Sequence, residues 1–335
     1  MKRSDRDEPG ELDLQPPRDD SIEVRLAQAE AAAGIFGGER APVRIGRFEL
    51  TRRIGAGGFG TVYAARDPAL EREVAVKVLH PGGPAGDRLV AEARAMARLS
   101  HPNVVAVHEV GVADGRAFVV MELVAGTTLR AWTAGERPWR DVLRAFRGAG
   151  AGLAAAHAAG ITHRDFKPDN VFVGEDGRVR VGDFGMAGGI DGAPRVDGGT
   201  PLYMAPEQHA GKPVTAAADQ FAFCAALHEA LYRRRPFAGS TVEELAANKG
   251  LGELAGPSGH TDAPGWLWPV LRRGMASDPA RRWPSMQRLL AELERSPRHR
   301  AVRLLAIALV AAVLGVALLG AIMQIWMMID WRAGR

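Results

Sequence analysis

The densest group of reactive side chains in the sequence is His163-Arg164-Asp165-Phe166-Lys167-Pro168-Asp169-Asn170. It follows a helical stretch closed by Gly160, and Pro168 prevents the helix from resuming, so these side chains are expected on a loop. Asp183-Phe184-Gly185 comes thirteen residues after Asn170. Upstream, Gly55-Ala56-Gly57-Gly58-Phe59-Gly60 has G-x-G-x-x-G spacing, in which residues without side chains let backbone N–H groups approach phosphate oxygens. A dinucleotide-binding fold would need a helix next. Thr61, Val62 and Tyr63 favour strand instead, so the loop is expected to join two antiparallel strands, and an ordinary hairpin turn fits the same residues. Val74-Ala75-Val76-Lys77 alternates along a strand, which puts Ala75 and Lys77 on one face and the two valines on the other. A lysine beside a small alanine suits a slot for a planar base with phosphates just beyond; an edge-strand lysine facing solvent is the alternative. On the helix expected next, Glu92 and Met96 lie one turn apart, so the acid can meet Lys77 while Met96 packs beneath; a solvated helix acid is the alternative.

Short β-like runs carry the first of these groups: Phe48 to Ile54, Thr61 to Ala65, Val74 to Leu79, Val104 to Val112 and Ala117 to Val124. One helix, capped by Asp87 and running to about Leu99, interrupts them. After Gly126 the reading is helical over Asp141 to Ala159, Ala217 to Tyr232, Gly265 to Met275 and Pro284 to Arg295, broken by a hairpin pair, Val171 to Val173 and Val179 to Val181. The result is an α+β chain with a small sheet-rich lobe before a larger helical one. Residues 1–45, with Pro9, Pro16, Pro17 and many charges, read as a mostly disordered arm whose only helical stretch is Ile22 to Ala33. At 335 residues and 47% hydrophobic positions the chain can bury a sizeable core. A single cysteine, Cys224, excludes an internal disulfide, and no Cys/His spacing suits structural zinc. A formal charge of only +4 does not make the dense basic face of a nucleic-acid binder, so no nucleic-acid partner is expected.

With Gly199-Thr200-Pro201-Leu202-Tyr203-Met204-Ala205-Pro206-Glu207 added to these motifs, the chain from about Gly46 to Arg295 resembles a eukaryotic-like (Hanks-type) serine/threonine protein kinase. The resemblance implies the two-lobed kinase fold, with residues 46–126 as N-lobe and hinge and 127–295 as C-lobe. It implies transfer of the ATP γ-phosphate to Ser or Thr hydroxyls of protein substrates, with Mg²⁺ as the metal and Mn²⁺ as an alternative. Lys77 would hold the α- and β-phosphates, oriented by Glu92. Asp165 would accept the hydroxyl proton, Lys167 would reach the transferred phosphate, and Asn170 and Asp183 would bind the metal. The glycine loop, Gly55 to Gly60, would cover the phosphates. Val62, Ala75 and Phe172 would sandwich adenine, with Glu122 and Val124 giving hinge backbone contacts beside Met121. Arg282 is expected to pair with Glu207, and Asp219 to brace the catalytic loop. Between Phe184 and Gly199 there is no Ser, Thr or Tyr, so the usual phosphate-accepting site of that segment is absent; Asp191 or Asp197 could pair with Arg164 in its place, in which case activity without loop phosphorylation is expected, and solvated loop acids are the alternative. Loss of Lys77, Asp165 or Asp183 would have favoured a scaffold on the same fold, and none is lost; an antibiotic kinase would not be expected to show Gly199 to Glu207.

Near the end, Leu304 to Ile329 runs 26 residues without an ionised side chain. As a helix it would reach roughly 39 Å, enough to cross a hydrocarbon layer of about 30 Å with tilt. Arg295, Arg298, Arg300 and Arg303 precede it with no acid among them, making 296–303 a basic juxtamembrane linker. The positive-inside rule then leaves the kinase region in the cytoplasm and 330–335 as a short external tail of a single-pass protein of the inner (plasma) membrane. The charged start lacks the apolar stretch of a secretory signal. Ala311 and Gly315, four apart, would allow close helix pairing and a dimer.

Overall fold

Alternation along the strands builds the first of two units. The structure, a computed structural model, describes residues 22–36, 41–57, 60–80, 95–184, 201–257 and 261–294. The first unit comprises the chain up to Pro81 together with Glu109–Leu123. Its sheet has the order β1-β2-β3-β4-β6-β5, with β1 at Val43–Ile45, β2 at Phe48–Gly57, β3 at Gly60–Asp67, β4 at Arg72–Leu79, β5 at Val107–Ala113 and β6 at Arg116–Glu122. On one face Val74, Val76 and Val78 join Phe48, Leu50, Tyr63, Ala65, Phe118 and Val120 in a buried core. The residues between them, Ala75 and Lys77, are buried on the opposite face with Ala64 and Val119. Asp114 and Gly115, both at positive φ (51° and 70°), make the tight turn between β5 and β6. Gly60 has no room for a side chain, because a Cβ there would lie 2.2 Å from the Val78 carbonyl oxygen.

Helix α1 (Ile22–Phe36) belongs to the same unit. Ile22 and Leu26, one turn apart, are buried in the core of the sheet, and Glu23 takes a 2.8 Å hydrogen bond from Arg53. The helix falls on the stretch read as helical, Ile22 to Ala33, and runs on to Phe36, while residues 1–21 and 37–40 of that arm lie outside the described residues; the apolar sheet face needs a cover, and the Ile22/Leu26 stripe supplies part of it. The sheet likewise starts at Val43, before the expected boundary at Gly46.

The second unit holds the remainder of the chain. A three-stranded antiparallel sheet, β7 (Gly126–Thr128), β8 (Val171–Gly174) and β9 (Val179–Val181), accompanies helices α2 (Leu129–Ala134), α3 (Trp139–Ala158), α4 (Pro206–His209), α5 (Ala216–Tyr232), α6 (Val242–Leu251), α7 (Leu267–Gly274) and α8 (Met286–Glu294). The α3 residues Val142, Phe146, Ala149, Leu153 and Ala156 recur at helical spacing and face one core. Every residue of α5 from Ala218 to His228 is buried, so this helix lacks a solvent face over most of its length. Phe146 meets Phe223 edge-on at 5.7 Å where α3 and α5 pack.

Several boundaries differ from the sequence reading. The expected strand Val104 to Val112 divides: Val104 bridges Val181 in parallel, and the strand proper starts at Val107. Asn103 imposes the break, since its side chain donates to the Val179 carbonyl at 2.7 Å and its own carbonyl accepts from Val181. The expected helix from Asp87 to Leu99 lies largely outside the described residues, which retain only its end at Ala95 and Met96. The span 304–329 lies wholly outside them; among the described residues no helix is long and apolar enough to cross a membrane. Strand β7 and helices α2, α4 and α6 were not anticipated, being too short or too weakly patterned to stand out.

If α1 is part of the first core, Leu26→Ala is expected to lower stability by about 2 kcal/mol. Urea unfolding followed by fluorescence measures it, and an unchanged midpoint would mean that the helix does not contribute to that core.

Candidate active site

In the first unit the antiparallel register places Val62 and Val119 on either side of Lys77, and Ala64 and Met121 on either side of Ala75. Lys77 is 6% exposed, its stem enclosed by this small-residue face. Gly55, Ala56 and Gly57 are not turn residues: they finish β2 and pair with Val62, Thr61 and Gly60 of β3. Two register shifts in β2, at Leu50/Arg52 and Arg53/Gly55, bend the strand before it reaches the glycines. Glu122 ends β6 opposite Val74. Gly58, Phe59 and Glu92 lie outside the described residues.

In the second unit one carboxylate organises the loop that carries the reactive residues. Asp219, 1% exposed in the first turn of α5, accepts from the His163 N–H at 2.7 Å and the Arg164 N–H at 2.8 Å, and lies 2.7 Å from His157 Nε2. Arg164 takes a left-handed conformation, φ 66°, to present its N–H in this way. The buried His163 ring continues the chain of bonds. Its Nδ1 accepts from the Asp165 N–H at 3.3 Å, so the proton is on Nε2, which donates to the Gly182 carbonyl at 2.9 Å.

The ring thus links the two segments that bear acidic residues. Gly182 N–H in turn donates to the Asn170 carbonyl at 2.9 Å, and Phe184 packs on His163 at 4.6 Å. Asp183 sits between these anchors at φ 55°, a second non-glycine residue held in the left-handed region. The Asp165 carboxylate accepts from Lys167 Nζ at 2.8 Å and from Asn170 Nδ2 at 3.3 Å, and Asn170 Nδ2 also reaches the Asp165 carbonyl at 2.8 Å. With its amide nitrogen turned to Asp165, Asn170 offers its carbonyl oxygen to other partners. Asp165 and Lys167 keep 21% and 15% of their side-chain surface exposed, so a solute can reach them. Asp165, Lys167 and Asn170 are therefore in direct contact, and Asp183 is tied to them through Gly182. Phe172 follows in β8, and an added Cβ at Gly182 would lie 3.0 Å from its ring. Val124 precedes β7 in the same unit.

A second network lies around Pro206-Glu207. Arg282, 2% exposed, forms two parallel bonds to Glu207 at 2.6 and 2.8 Å and donates to the carbonyls of Ala217 and Ala276. This is the pairing expected from sequence. Four contributors were missed. Gln208 donates to the Arg164 carbonyl at 2.7 Å and accepts from Ala205 N–H, tying this segment to the residue before Asp165. Arg130 Nε grips both Asp169 oxygens at 2.9 and 2.8 Å, while its Nη2 donates to the Tyr203 hydroxyl at 2.7 Å. The Tyr203 hydroxyl in turn donates to the Glu229 carboxylate; burial, with that carboxylate, raises the phenol above its usual range and keeps it protonated. Lys249 is buried beneath the same segment. Asp169 is thus engaged by Arg130, and Thr128 caps α2 by accepting from Ala131 N–H.

Comparison with known proteins bears on this arrangement. Residues 48–259 match the family described as protein kinase domain. The chain belongs to the protein kinase family. Over 216 residues the kinase region is 39% identical to the serine/threonine-protein kinase PknA of Mycobacterium tuberculosis, covering 60% of this chain and 50% of PknA. It is 36% identical over 261 residues to Pkn1 of Myxococcus xanthus, covering 73% of this chain and 37% of Pkn1. The chain spans about half or less of the length of these curated relatives. The solved kinase domain of M. tuberculosis PknI superimposes with a TM-score of 0.60 at 26% identity, covering 77% of this chain and 99% of that one. Rad53 (1–466), solved with AMP-PNP, shares the fold at 24% identity and a TM-score of 0.64, over 73% of this chain and 64% of Rad53. The two-lobed kinase fold accounts for both units, the sheet as N-lobe and the helical unit as C-lobe.

Within the kinase fold the buried Glu207–Arg282 pair is almost wholly removed from water, so removing one partner strands the other. Glu207→Ala is expected to destabilise the chain by about 3–5 kcal/mol, and Glu207→Leu with Arg282→Met to recover much of that loss. Urea unfolding of the three proteins checks both statements.

Proposed function

We propose that this chain is a serine/threonine protein kinase that transfers the ATP γ-phosphoryl group to protein hydroxyls and is held to the inner face of the plasma membrane by its C-terminal segment. The observation that carries the catalytic part is the contact of Lys167 with a partly exposed Asp165 that Asn170 also holds. As the acceptor oxygen bonds to the γ-phosphorus and the bond to the ADP oxygen breaks, the Asp165 carboxylate takes the hydroxyl proton. Lys167, already beside Asp165, supplies positive charge where the equatorial oxygens carry the negative charge. Lys77 holds the α- and β-phosphates and is oriented by Glu92, while backbone N–H groups of Gly55 to Gly60 cover them. Val62, Ala75 and Phe172 enclose adenine, and the backbone of Glu122 and Val124, beside Met121, fixes its edge.

The donor set suits a hard divalent cation. Asp183 and Asn170 offer a carboxylate and an amide oxygen, and Mg²⁺ typically takes one or two such protein ligands and completes its shell with water and phosphate oxygens. When bound, Mg²⁺, or Mn²⁺ in its place, neutralises phosphate charge. The left-handed conformation at Asp183 and the two bonds to Gly182 fix the backbone that carries this carboxylate.

Transfer of label from γ-labelled ATP to a generic protein acceptor, with Mg²⁺ present, tests the reading. Asp165→Asn and Asp183→Ala are each expected to reduce transfer by on the order of 10²-fold or more. A folded Asp183→Ala protein that transfers at the wild-type rate would falsify the assignment.

The membrane part rests on the apolar run 304–329 and the arginines before it. Each arginine near an anionic leaflet contributes on the order of 1 kcal/mol, which favours the kinase region on the cytoplasmic side and brings it to lipid. Pairing through Ala311 and Gly315 would give a dimer. A chain truncated after Arg300 is expected to stay in the supernatant on sedimentation with membranes in high salt while the full chain pellets. Co-sedimentation of the truncated form would place the attachment elsewhere.

A further inference from the structure

A lysine near the C-terminal end of an exposed helix ordinarily lies in water, favoured there by the helix dipole. Lys249 of α6 does not: it is 0% exposed and shares the buried face of the helix with Leu245. Its Nζ donates to the carbonyls of Pro201 at 2.6 Å and Met204 at 2.8 Å and lies 3.3 Å from His209 Nε2. An ammonium group has three donors, and here each has an acceptor. All three acceptors belong to one stretch of chain, 201–209. The imidazole is held well below the usual histidine range, to about 4, by burial and then by Lys249, so it is neutral and its Nε2 can accept. The Phe221 ring lies 5.9 Å from Nζ, with Arg282 on the same ring at 5.0 Å. Ser277 fixes the lysine from its other side by donating to the Lys249 carbonyl at 2.7 Å. A methionine would fill the same volume without burying charge. What the ammonium adds is a set of directional bonds to a single segment.

That segment adjoins the residues that face an acceptor. Tyr203 is bonded to Arg130, which grips Asp169 in the catalytic loop, and Gln208 is bonded to the carbonyl of Arg164, next to Asp165. We propose that Lys249 is a positioning residue for the protein acceptor, holding Pro201–Met204 in the shape against which the acceptor chain lies while its hydroxyl reaches Asp165. The proposal rests on the kinase reading and adds to it a residue remote from ATP that governs use of the protein substrate.

The hold is also sensitive to pH. Burial brings the ammonium down from the ordinary lysine range to about 7, so its charge is lost as pH rises through neutrality. The groups that face it are His209 from α4, already neutral, and, across Phe221, the Arg282–Glu207 pair. Above this pH the amine keeps two hydrogens for three acceptors, and the segment is held less firmly.

The experiment compares the full chain with Lys249→Met and Lys249→Gln, using a protein acceptor and ATP. For Lys249→Met the acceptor KM is expected to rise on the order of tenfold, with ATP KM and acceptor-free ATP hydrolysis within about twofold of wild type. Lys249→Gln, which retains two donors, is expected to fall between. The wild-type acceptor KM is expected to increase from pH 6 to 8.5, and the increase is expected to vanish in both variants. Amide hydrogen exchange at Leu202 to Ala205 should quicken in Lys249→Met while β9 stays protected. A loss of ATP hydrolysis in step with protein transfer, or an unchanged acceptor KM with unchanged exchange, would overturn the proposal. If Lys249→Met does not fold, Lys249→Gln decides by the same KM and pH criteria. A wild-type chain with no transferase activity would refute the kinase reading itself, and the exchange measurement would still decide whether Lys249 holds the segment.

Discussion

Three nitrogen donors converge on Asp219, a carboxylate almost wholly removed from water, and the geometry of the reactive loop follows from that convergence. A carboxylate buried without partners would be strongly disfavoured, so the backbone of His163 and Arg164 must turn toward it even though Arg164 then adopts a left-handed conformation. Once the His163 backbone is fixed, its ring has a single orientation in which one nitrogen accepts from the Asp165 N–H and the other donates to Gly182. Asp165 and Asp183, eighteen positions apart in sequence, are therefore referred to one buried charge on α5.

A second buried charge repeats this logic one layer away. Glu207 is matched by both arms of the Arg282 guanidinium, and the remaining donors of Arg282 go to backbone carbonyls, so the pair is nearly saturated. Its neighbour Gln208 reaches the Arg164 carbonyl, while the Arg164 N–H is held by Asp219. The backbone amide and carbonyl of one residue are thus gripped from two different helices. Buried polar groups confer little net stability in such an arrangement, but they permit only one register of the loop.

How far the sequence foretold this depends on the range of the interaction. Period-two alternation in Val74-Ala75-Val76-Lys77 was enough to place Lys77 opposite the core, because strand geometry is local. The roles of Asp219 and Arg282 came only through resemblance, since nothing near either residue distinguishes a buried charge from a solvated one. Arg130 and Gln208 carried no signal at all, and Lys249 very little. A lysine in the last turn of a helix is ordinary, and the partners of Arg130 stand 39 and 73 positions away. Leu245 and Lys249, four apart on one face, were the one hint that the lysine points inward. In the arm the helical stretch was legible but its packing was not: Ile22 and Leu26 form only a short stripe, and the sheet face that receives them lies beyond the next turn. Glu92 and the apolar run 304–329 fall outside the described residues, so for them the sequence stands by itself.

The burial of α5 on all sides carries a consequence for how this protein fails. A helix whose residues from Ala218 to His228 are all enclosed has no stable existence apart from its neighbours, and it opens only when the surrounding core opens. Asp219 lies in the first turn of that helix. The ordering of the catalytic loop is thereby coupled to the most cooperative part of the C-lobe rather than to a peripheral element that frays early. Heating or denaturant should leave the site intact until the lobe collapses as a whole, giving a protein that passes from competent to unfolded without a long-lived, half-active form.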